Sequence, residues 1–307
     1  MSLRPTDTAS LAAAVRTAHD ARTPLRIVGR GSWLTAGGPV APATERLELG
    51  AFNGITAYVP GDLTLTARAN TTLAEVDAVT AGHGQWCPLF PWGDDEAALG
   101  AVMATATVGP FARALGRPRD VALGLEFVDG TGAHVRAGGR VVKNVAGFDL
   151  TRLLVGSWGT LGVITEVTVR LRARPALDET YAIRVDPADS ALREALAAFE
   201  RGTMAPLAVA SFPAAASVAA GLPRDTNTLV RIGGNASFVA AARRALAEIA
   251  LMTPCDVALW QRVRRFAADD APLDFSRALA DPLSRRIREK FDPRGILNPG
   301  VLGGIRS

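Results

Sequence analysis

An α+β protein of roughly two domains is what this sequence predicts, on three observations. Strand-like and helix-like stretches interleave through the first 175 residues. A β-α-β-β-α order follows Pro175, the pattern of half-split ferredoxin-like modules. The 307 residues are 48% hydrophobic and 21% charged, enough apolar material for sizeable cores, and at about 150 residues per domain they divide into two.

The elements read in order as follows. Residues 8–21 form a helix with Leu11, Val15 and Ala18 on one face, ended by Pro24. The strand 25–28 runs into Gly29-Arg30-Gly31-Ser32-Trp33. Residues 63–70 alternate apolar and polar, as a half-buried strand does. Thr72 and Glu75 make a capping-box pair for a helix that Gly82 can close. A strand over 121–128 meets a hairpin turn at Asp129-Gly130 and returns over 133–136. Residues 163–171 alternate again. Beyond Pro175 come a strand at 179–185, a helix from Asp186-Pro187 through Phe199, strands at 206–212 and 228–232, and a helix at 237–251. A last helix runs from Asp281 to near Lys290.

Composition excludes several classes. A net charge of +4 is a mild excess for this length, aromatics are only 6%, and no basic-aromatic stripe is present, so nucleic acid is not an expected partner. Every basic residue but Lys143 and Lys290 is arginine, which reads as codon bias or as an arginine-lined anion site that the count cannot locate. Two cysteines, Cys87 and Cys255, fall short of the roughly four thiolates an iron–sulfur cluster needs, and their sparseness fits a reducing cytoplasm. The start, MSLRPTDTASLAAAV, has no apolar run of signal-peptide type. The uncharged run 202–223 is long enough to span a bilayer, but it is alanine-rich and broken by Pro206, Pro213 and Pro223; a buried strand and loop is expected, and no integral membrane segment.

Three segments could carry chemistry. Val28-Gly29-Arg30-Gly31-Ser32-Trp33 ends a strand in alternating glycines, whose amides can nest a pyrophosphate; an ordinary glycine turn reads equally. It lacks the third glycine of a Rossmann fingerprint and the Gly-Lys-Ser/Thr of a Walker loop. Leu99-Gly100-Ala101 with Ala104 and Thr105 would let a helix start press its amides on a phosphate or ring, or else is a packed alanine-rich helix. The third, residues 143–150 followed by Gly156, Gly159 and Gly162 before Val163-Ile164, has glycines at three-residue spacing that permit backbone contact with a flat ligand.

Taken in this order, these segments resemble the FAD-binding domain of the vanillyl-alcohol oxidase / p-cresol methylhydroxylase superfamily. Gly29-Arg30-Gly31-Ser32 looks like its pyrophosphate loop. Leu99-Gly100-Ala101 looks like its Thr-x-Gly-Gly flavin loop, with Ala101 for the second glycine. Residues 116–124, with Asp120, resemble the segment before a central strand. The run 143–149 with Gly147, and 156–165 with Gly159, Gly162, Val163 and Ile164, resembles the smaller FAD-binding subunit of bacterial glycolate oxidases most specifically. Residues 291–300 resemble the superfamily's C-terminal segment. The resemblance implies a p-cresol methylhydroxylase-type FAD-binding domain over 1–175, made of two α+β subdomains. It also implies a reduced ferredoxin-like cap over 176–282 and a returning segment over 283–307. FAD is the implied cofactor, held non-covalently, because Ser32-Trp33 stands where some relatives attach flavin to histidine.

The resemblance further implies a complex that oxidises a small 2-hydroxy acid, glycolate or D-lactate. A paralogous FAD subunit and an iron–sulfur subunit would be the partners, in the cytoplasm and peripheral to the inner membrane through those partners. The larger relatives carry histidine runs in the cap. Here only His19, His83 and His134 are present, none after residue 134, so no catalytic base and no metal site is assigned. Asp94-Asp95-Glu96 is expected to serve the dipole of the following helix. Residues 262–294 hold nine basic against six acidic residues, a solvated face or a docking surface. A self-contained flavin dehydrogenase using Asp256, Asp269, Asp270 or Asp274, and a non-catalytic assembly subunit, remain the rival readings.

Overall fold

The computed structural model describes residues 2–38, 40, 44–93, 96–139, 149–186, 188–212, 214–264 and 281–302. Its first sheet is parallel, in the order β1 (Ser2–Leu3), β3 (Glu45–Glu48), β2 (Leu25–Val28). Helix α1 (Thr8–Ala21) starts at a capping box in which the Asp7 carboxylate accepts from the Ser10 amide, and ends with Arg22 in the left-handed conformation. Its apolar stripe of Leu11, Val15 and Ala18 is buried against Leu25 and Leu47.

The second sheet is antiparallel. It contains β4 (Ile55–Val59), β5 (Thr64–Arg68), β7 (Ala122–Val128), β8 (His134–Gly138) and β9 (Val163–Arg170), in the order β4-β5-β9-β7-β8. Strand β5 is buried on both faces: Thr64 and Thr66 are as enclosed as Leu65 and Ala67, and the Thr66 and Thr168 hydroxyls bond at 3.0 Å. The expectation of a half-buried strand is corrected here, because β5 is an inner strand whose threonines satisfy one another. Helices α2 (Leu73–Ala81), α3 (Leu99–Thr105) and α6 (Leu150–Leu154) contribute Leu73, Val76, Leu99, Val102, Met103 and Leu154 to this sheet's core. The Thr72/Glu75 capping box forms as the sequence indicates. The hairpin loop is longer than a two-residue turn: Val128 pairs with His134, the Asp129 amide donates to the Ala133 carbonyl, and Gly132 supplies the positive φ. Short pieces fill the connections: β6 (Gln85–Trp86) pairs with β10 (Arg172–Ala173), and α4 (Ala112–Leu115) and α5 (Pro118–Val121) lead into β7.

From Leu177 onward the chain makes a separate four-stranded sheet. It holds β11 (Leu177–Arg184), β12 (Ala208–Ser211), β13 (Thr226–Gly234) and β14 (Met252–Cys255), all neighbours antiparallel, in the order β12-β13-β11-β14. This is the order of a complete split β-α-β pair; the sequence pattern lacked only the edge strand β14. One face is covered by α7 (Ser190–Arg201) and α9 (Ala236–Ile249), through Leu196, Phe199, Val239, Ala242 and Leu246. The other meets Phe111 and Leu115 of α4 and Trp260 of α10 (Leu259–Val263). Helix α7 begins later than Asp186-Pro187 implies. Asp186 caps a turn by accepting from the Ala188 amide, and Asp189 is the true N-cap. The uncharged run holds β12 and the short helix α8 (Ala214–Ala219) rather than strand and loop alone. No described helix is long and apolar enough to cross a membrane.

Helix α11 (Pro282–Phe291) hands the chain back to the first two sheets. Asp292 follows it, 2% exposed, its carboxylate accepting from the Ile296 and Leu297 amides at 3.0 and 2.8 Å. Gly130 packs on it so closely that a Cβ there would lie 2.6 Å from Oδ1. Burial raises the Asp292 pKa, against the opposing pull of those amides, Arg288 and His19. A carboxyl whose folded pKa stands above its ordinary value contributes stability that is fully present below that ordinary value and is lost as pH rises through the raised one. Urea unfolding of wild type and Asp292→Asn should therefore show their stability difference moving against the wild type as pH rises above about 4, the ordinary aspartate value. A difference that does not change with pH would contradict the buried, raised carboxyl.

Candidate functional site: a cleft between two sheets

The first two sheets face each other across a cleft that is partly open to solvent. One wall is Arg26 and Ile27 of β2, the turn Gly29, Gly31, Ser32, Trp33 and Leu34, and Leu49. The opposite wall is Ala69 and Asn70 after β5, Ala98, Gly100, Ala101, Ala104 and Thr105 around α3, and Gly159, Gly162 and Ile164 before and in β9. Trp158, Asn298 and Val301 close one end.

The glycine turn is shaped by Gly31, whose φ of +86° is costly for any residue with a Cβ. The Leu34 amide donates to the Gly31 carbonyl, but among the described residues the amides of Arg30, Gly31, Ser32 and Trp33 donate to no protein group. A run of unspent backbone N–H groups at a tight turn is an anion nest. Arg30 itself points away from the cleft and ion-pairs Glu75 and Glu96 at 3.8 and 3.6 Å. Glu96 thus serves Arg30 and not the dipole of α3, whose first turn contains no acid; Asp94 and Asp95 lie outside the described residues.

The start of α3 differs from its expected use. The amides of Leu99 and Gly100 are spent on the Thr71 and Ala69 carbonyls at 2.8 and 2.7 Å, so they are not offered to a ligand. What this segment presents is a wall almost bare of side chains. Gly162 has a double role: it lines the cleft, and a Cβ there would fall 2.6 Å from the Phe127 ring in the core. Trp158 is held in the left-handed region at φ +53°, its amide bonded to the Ala104 carbonyl and its own carbonyl accepting from Asn298 Nδ2. Such strain in a bulky residue persists only where neighbours over-determine it.

Of the residues singled out from sequence, Gly29, Gly31, Ser32, Trp33, Gly100, Ala101, Ala104, Thr105, Gly159, Gly162 and Ile164 line the cleft. Val28, Leu99 and Val163 do not; they are core residues with 5% exposure or less. Asp120 is exposed and accepts from the Arg117 amide at the start of α5, well apart from the cleft lining. Gly147 lies outside the described residues. Each histidine has another task. His19 Nδ1 contacts the Gly130 carbonyl, His134 pairs with Glu126, and His83 sits edge-on to Tyr58. Cys87 is a buried thiol whose pKa is pushed up to about 12 by burial, an inert rather than a nucleophilic state. No metal-binding group of three or more His, Cys, Asp or Glu occurs among the described residues.

Sequence reading missed Arg26 and Asn70. Both line the cleft, and each has a buried polar atom, Nη1 of Arg26 and Oδ1 of Asn70, with no hydrogen-bond partner. The available signals were an arginine inside the strand feeding the glycine turn, and a polar residue ending a strand just before a capping box. Buried polar atoms are normally satisfied, so two orphans in one cleft point to a missing polar ligand. With the amide nest and the bare wall, they fit a dinucleotide such as FAD.

Comparison with known proteins agrees. Residues 1–138 match the family model described as FAD binding domain. The chain is 36% identical to glycolate oxidase subunit GlcE of Escherichia coli (strain K12) over 228 residues, 73% of this chain and 60% of that protein. It is 32% identical to a D-lactate dehydrogenase of Archaeoglobus fulgidus over 170 residues, 55% of this chain and 38% of that one. The chain therefore spans under two thirds of these curated relatives. Among solved structures, alkyldihydroxyacetonephosphate synthase superposes with a TM-score of 0.76 at 15% identity, covering 97% of this chain and 76% of that one. p-Cresol methylhydroxylase superposes with a TM-score of 0.69 at 14% identity, covering 94% and 63%. Residues 1–138 are thus similar to an FAD binding domain, and the chain has the α+β fold of alkyldihydroxyacetonephosphate synthase and p-cresol methylhydroxylase.

Proposed function

We propose that this chain is the FAD-binding subunit of a glycolate oxidase-like complex. That complex would oxidise a small 2-hydroxy acid, glycolate or D-lactate, to the 2-oxo acid. The observation that carries the reading is the two-walled cleft with its amide nest, in a chain similar to GlcE over 73% of its length. On this reading residues 1–175 hold the cofactor, 176–282 form a reduced cap, and 283–307 return to the cofactor domain. The protein would work in the cytoplasm, reaching the inner membrane only through partners.

The residues divide the work by position. The amides from Arg30 to Trp33 bind the diphosphate. Gly100, Ala101 and Ala104 admit a flat ring at close range, and Gly159 and Gly162 do so from the strand side. Trp33, Trp158 and Val301 exclude water from the ends. FAD, when bound, supplies a two-electron acceptor. Arg26 is the one titratable side chain lining the cleft among the described residues, and an arginine stays protonated, so it takes no proton from a hydroxyl. Asp256 is occupied in accepting from the Ala258 amide, while Asp269, Asp270 and Asp274 lie outside the described residues. Oxidation of a 2-hydroxy acid removes one proton from oxygen and two electrons with a second hydrogen from carbon. A paralogous flavoprotein is the proposed source of the base, and an iron–sulfur subunit the proposed exit for electrons.

Four outcomes follow. Acid precipitation of the purified protein should leave all flavin in the supernatant, since Ser32 and Trp33 offer no attachment atom; colour in the pellet would refute non-covalent binding. Gly31→Val should lose FAD, measured by absorbance, while the circular dichroism of the fold persists, because the φ of +86° must change. Gly162→Val should instead destabilise the whole domain by about 1–3 kcal/mol in urea unfolding, through overpacking on Phe127 and the strand behind it. A soluble Gly31→Val variant with wild-type flavin content would remove the turn from the site. In stopped-flow mixing with glycolate or D-lactate under anaerobic conditions, the flavin of the isolated chain should stay oxidised, with reduction appearing when the two partner subunits are added. Fast reduction of the isolated chain would replace this reading with a self-contained dehydrogenase.

A further inference from the structure

We propose that Arg26 is the charge partner of the cofactor's diphosphate, and that it sets the preference of this cleft for the dinucleotide over an uncharged flavin. The inference rests on the FAD reading above and adds to it a residue outside the glycine turn.

Arg26 is half-buried at the cleft. Arg231, more enclosed, is held by both oxygens of Asp178 at 2.8 and 2.6 Å. Arg26 has no carboxylate partner among the described residues. Its Nη2 donates to the Leu34 carbonyl at 2.6 Å, and its Nη1 is buried with no partner at all. Its neighbour in register on β3 is another cation, Arg46. Burial, with Arg46 adding to it, lowers the Arg26 pKa, so this environment works against the charge it holds. A desolvated guanidinium left this way is costly until an anion reaches it.

The position of the orphan donor identifies the anion. Leu34, which accepts from Arg26, donates its own amide to Gly31, so the guanidinium is tied directly to the far side of the glycine turn. Arg26 lines the same cleft as that turn. An anion resting on the amides of Arg30 to Trp33 therefore has a fixed cation beside it. The remaining guanidinium N–H groups suit a phosphate oxygen, and the tie of Nη2 to Leu34 leaves little ordering to be done on binding. Of the parts of FAD only the diphosphate is anionic. Riboflavin has no such group.

The test is a titration of flavin-free protein with FAD and with riboflavin, followed by quenching of flavin fluorescence, at low and high potassium chloride. In Arg26→Gln the FAD Kd should rise at least about tenfold at low salt, the scale of one charge-assisted hydrogen bond. Riboflavin affinity should stay within about twofold, and the gap between wild type and variant should narrow at high salt. Arg26→Lys should recover part of the loss. An Arg26→Gln variant that binds FAD as the wild type does, or that loses FAD and riboflavin equally, would overturn the assignment and leave Arg26 as a strut for Leu34. Should the variant not fold, wild-type protein decides: inorganic pyrophosphate should displace FAD and raise the melting temperature, and the absence of both effects would overturn the proposal. Wild-type protein that binds no FAD would defeat the parent reading, a result distinct from any of these.

Discussion

The structure depends on Asn298. Its side chain accepts from the Ile27 amide in the first sheet and donates to the Trp158 carbonyl on the edge of the second, each at 2.8 Å. Its own amide donates to the Leu25 carbonyl, extending the parallel sheet by a bridge between Leu25 and Leu297. One buried carboxamide thus bridges the two sheets on the cleft side, while Leu25 and Leu47 of the first pack with Val128 and Val163 of the second. An apolar replacement would leave both the Ile27 N–H and the Trp158 carbonyl buried and unpaired, which is the expensive way to lose a hydrogen bond. Asn298 also takes a φ of +43°, a conformation asparagine tolerates better than most residues.

The strap that delivers Asn298 is itself fixed by polar groups. Asp292 turns the chain after α11 by accepting the amides of Ile296 and Leu297, while Gly130 of the second sheet's hairpin donates to the Phe291 carbonyl. Arg294 reaches the His19 and Asp20 carbonyls at the end of α1. The bonds from Gly130 and Arg294 tie residues more than a hundred positions apart to the same short segment.

This explains which parts were legible in the sequence. Helix 8–21, strand 25–28 and the Thr72/Glu75 capping box are local: their periodicity and caps are written within a few residues. Where expectation and structure part, a distant contact decides. Strand 64–68 alternates apolar and polar, yet its polar face is buried because Thr168 lies opposite. Asp129-Gly130 reads as a tight turn, but Gly130 is needed for the approach of Asp292, so the turn glycine becomes Gly132. Helix α7 starts at Asp189, and the sequence offered Asp186-Pro187 as an equally good cap. In the site, glycines announce themselves because their freedom is unusual. Arg26 and Asn70 do not, since an arginine in a strand or an asparagine after one means nothing until the opposite wall is in place.

The third sheet bears on the division of labour. It is attached by aromatic and cationic contacts: Phe111 packs on Trp260 with ring centres 5.8 Å apart, and the Arg231 guanidinium lies 4.9 Å from the centre of the Phe111 ring. Trp260 donates to the Thr180 hydroxyl from within this interface. These groups spend their polarity on holding the sheet in place: Arg231 is committed to Asp178 and Trp260 to Thr180. A cap that works on substrate presents unspent acids, bases or donors toward the cofactor. The described part of this one turns a helical face outward and its anchoring face toward α4 and α10. On the proposed reading, the groups that hold the dinucleotide lie in the first two sheets and the strap. In the third sheet Arg231 and Trp260, at its inner interface, are engaged in architecture.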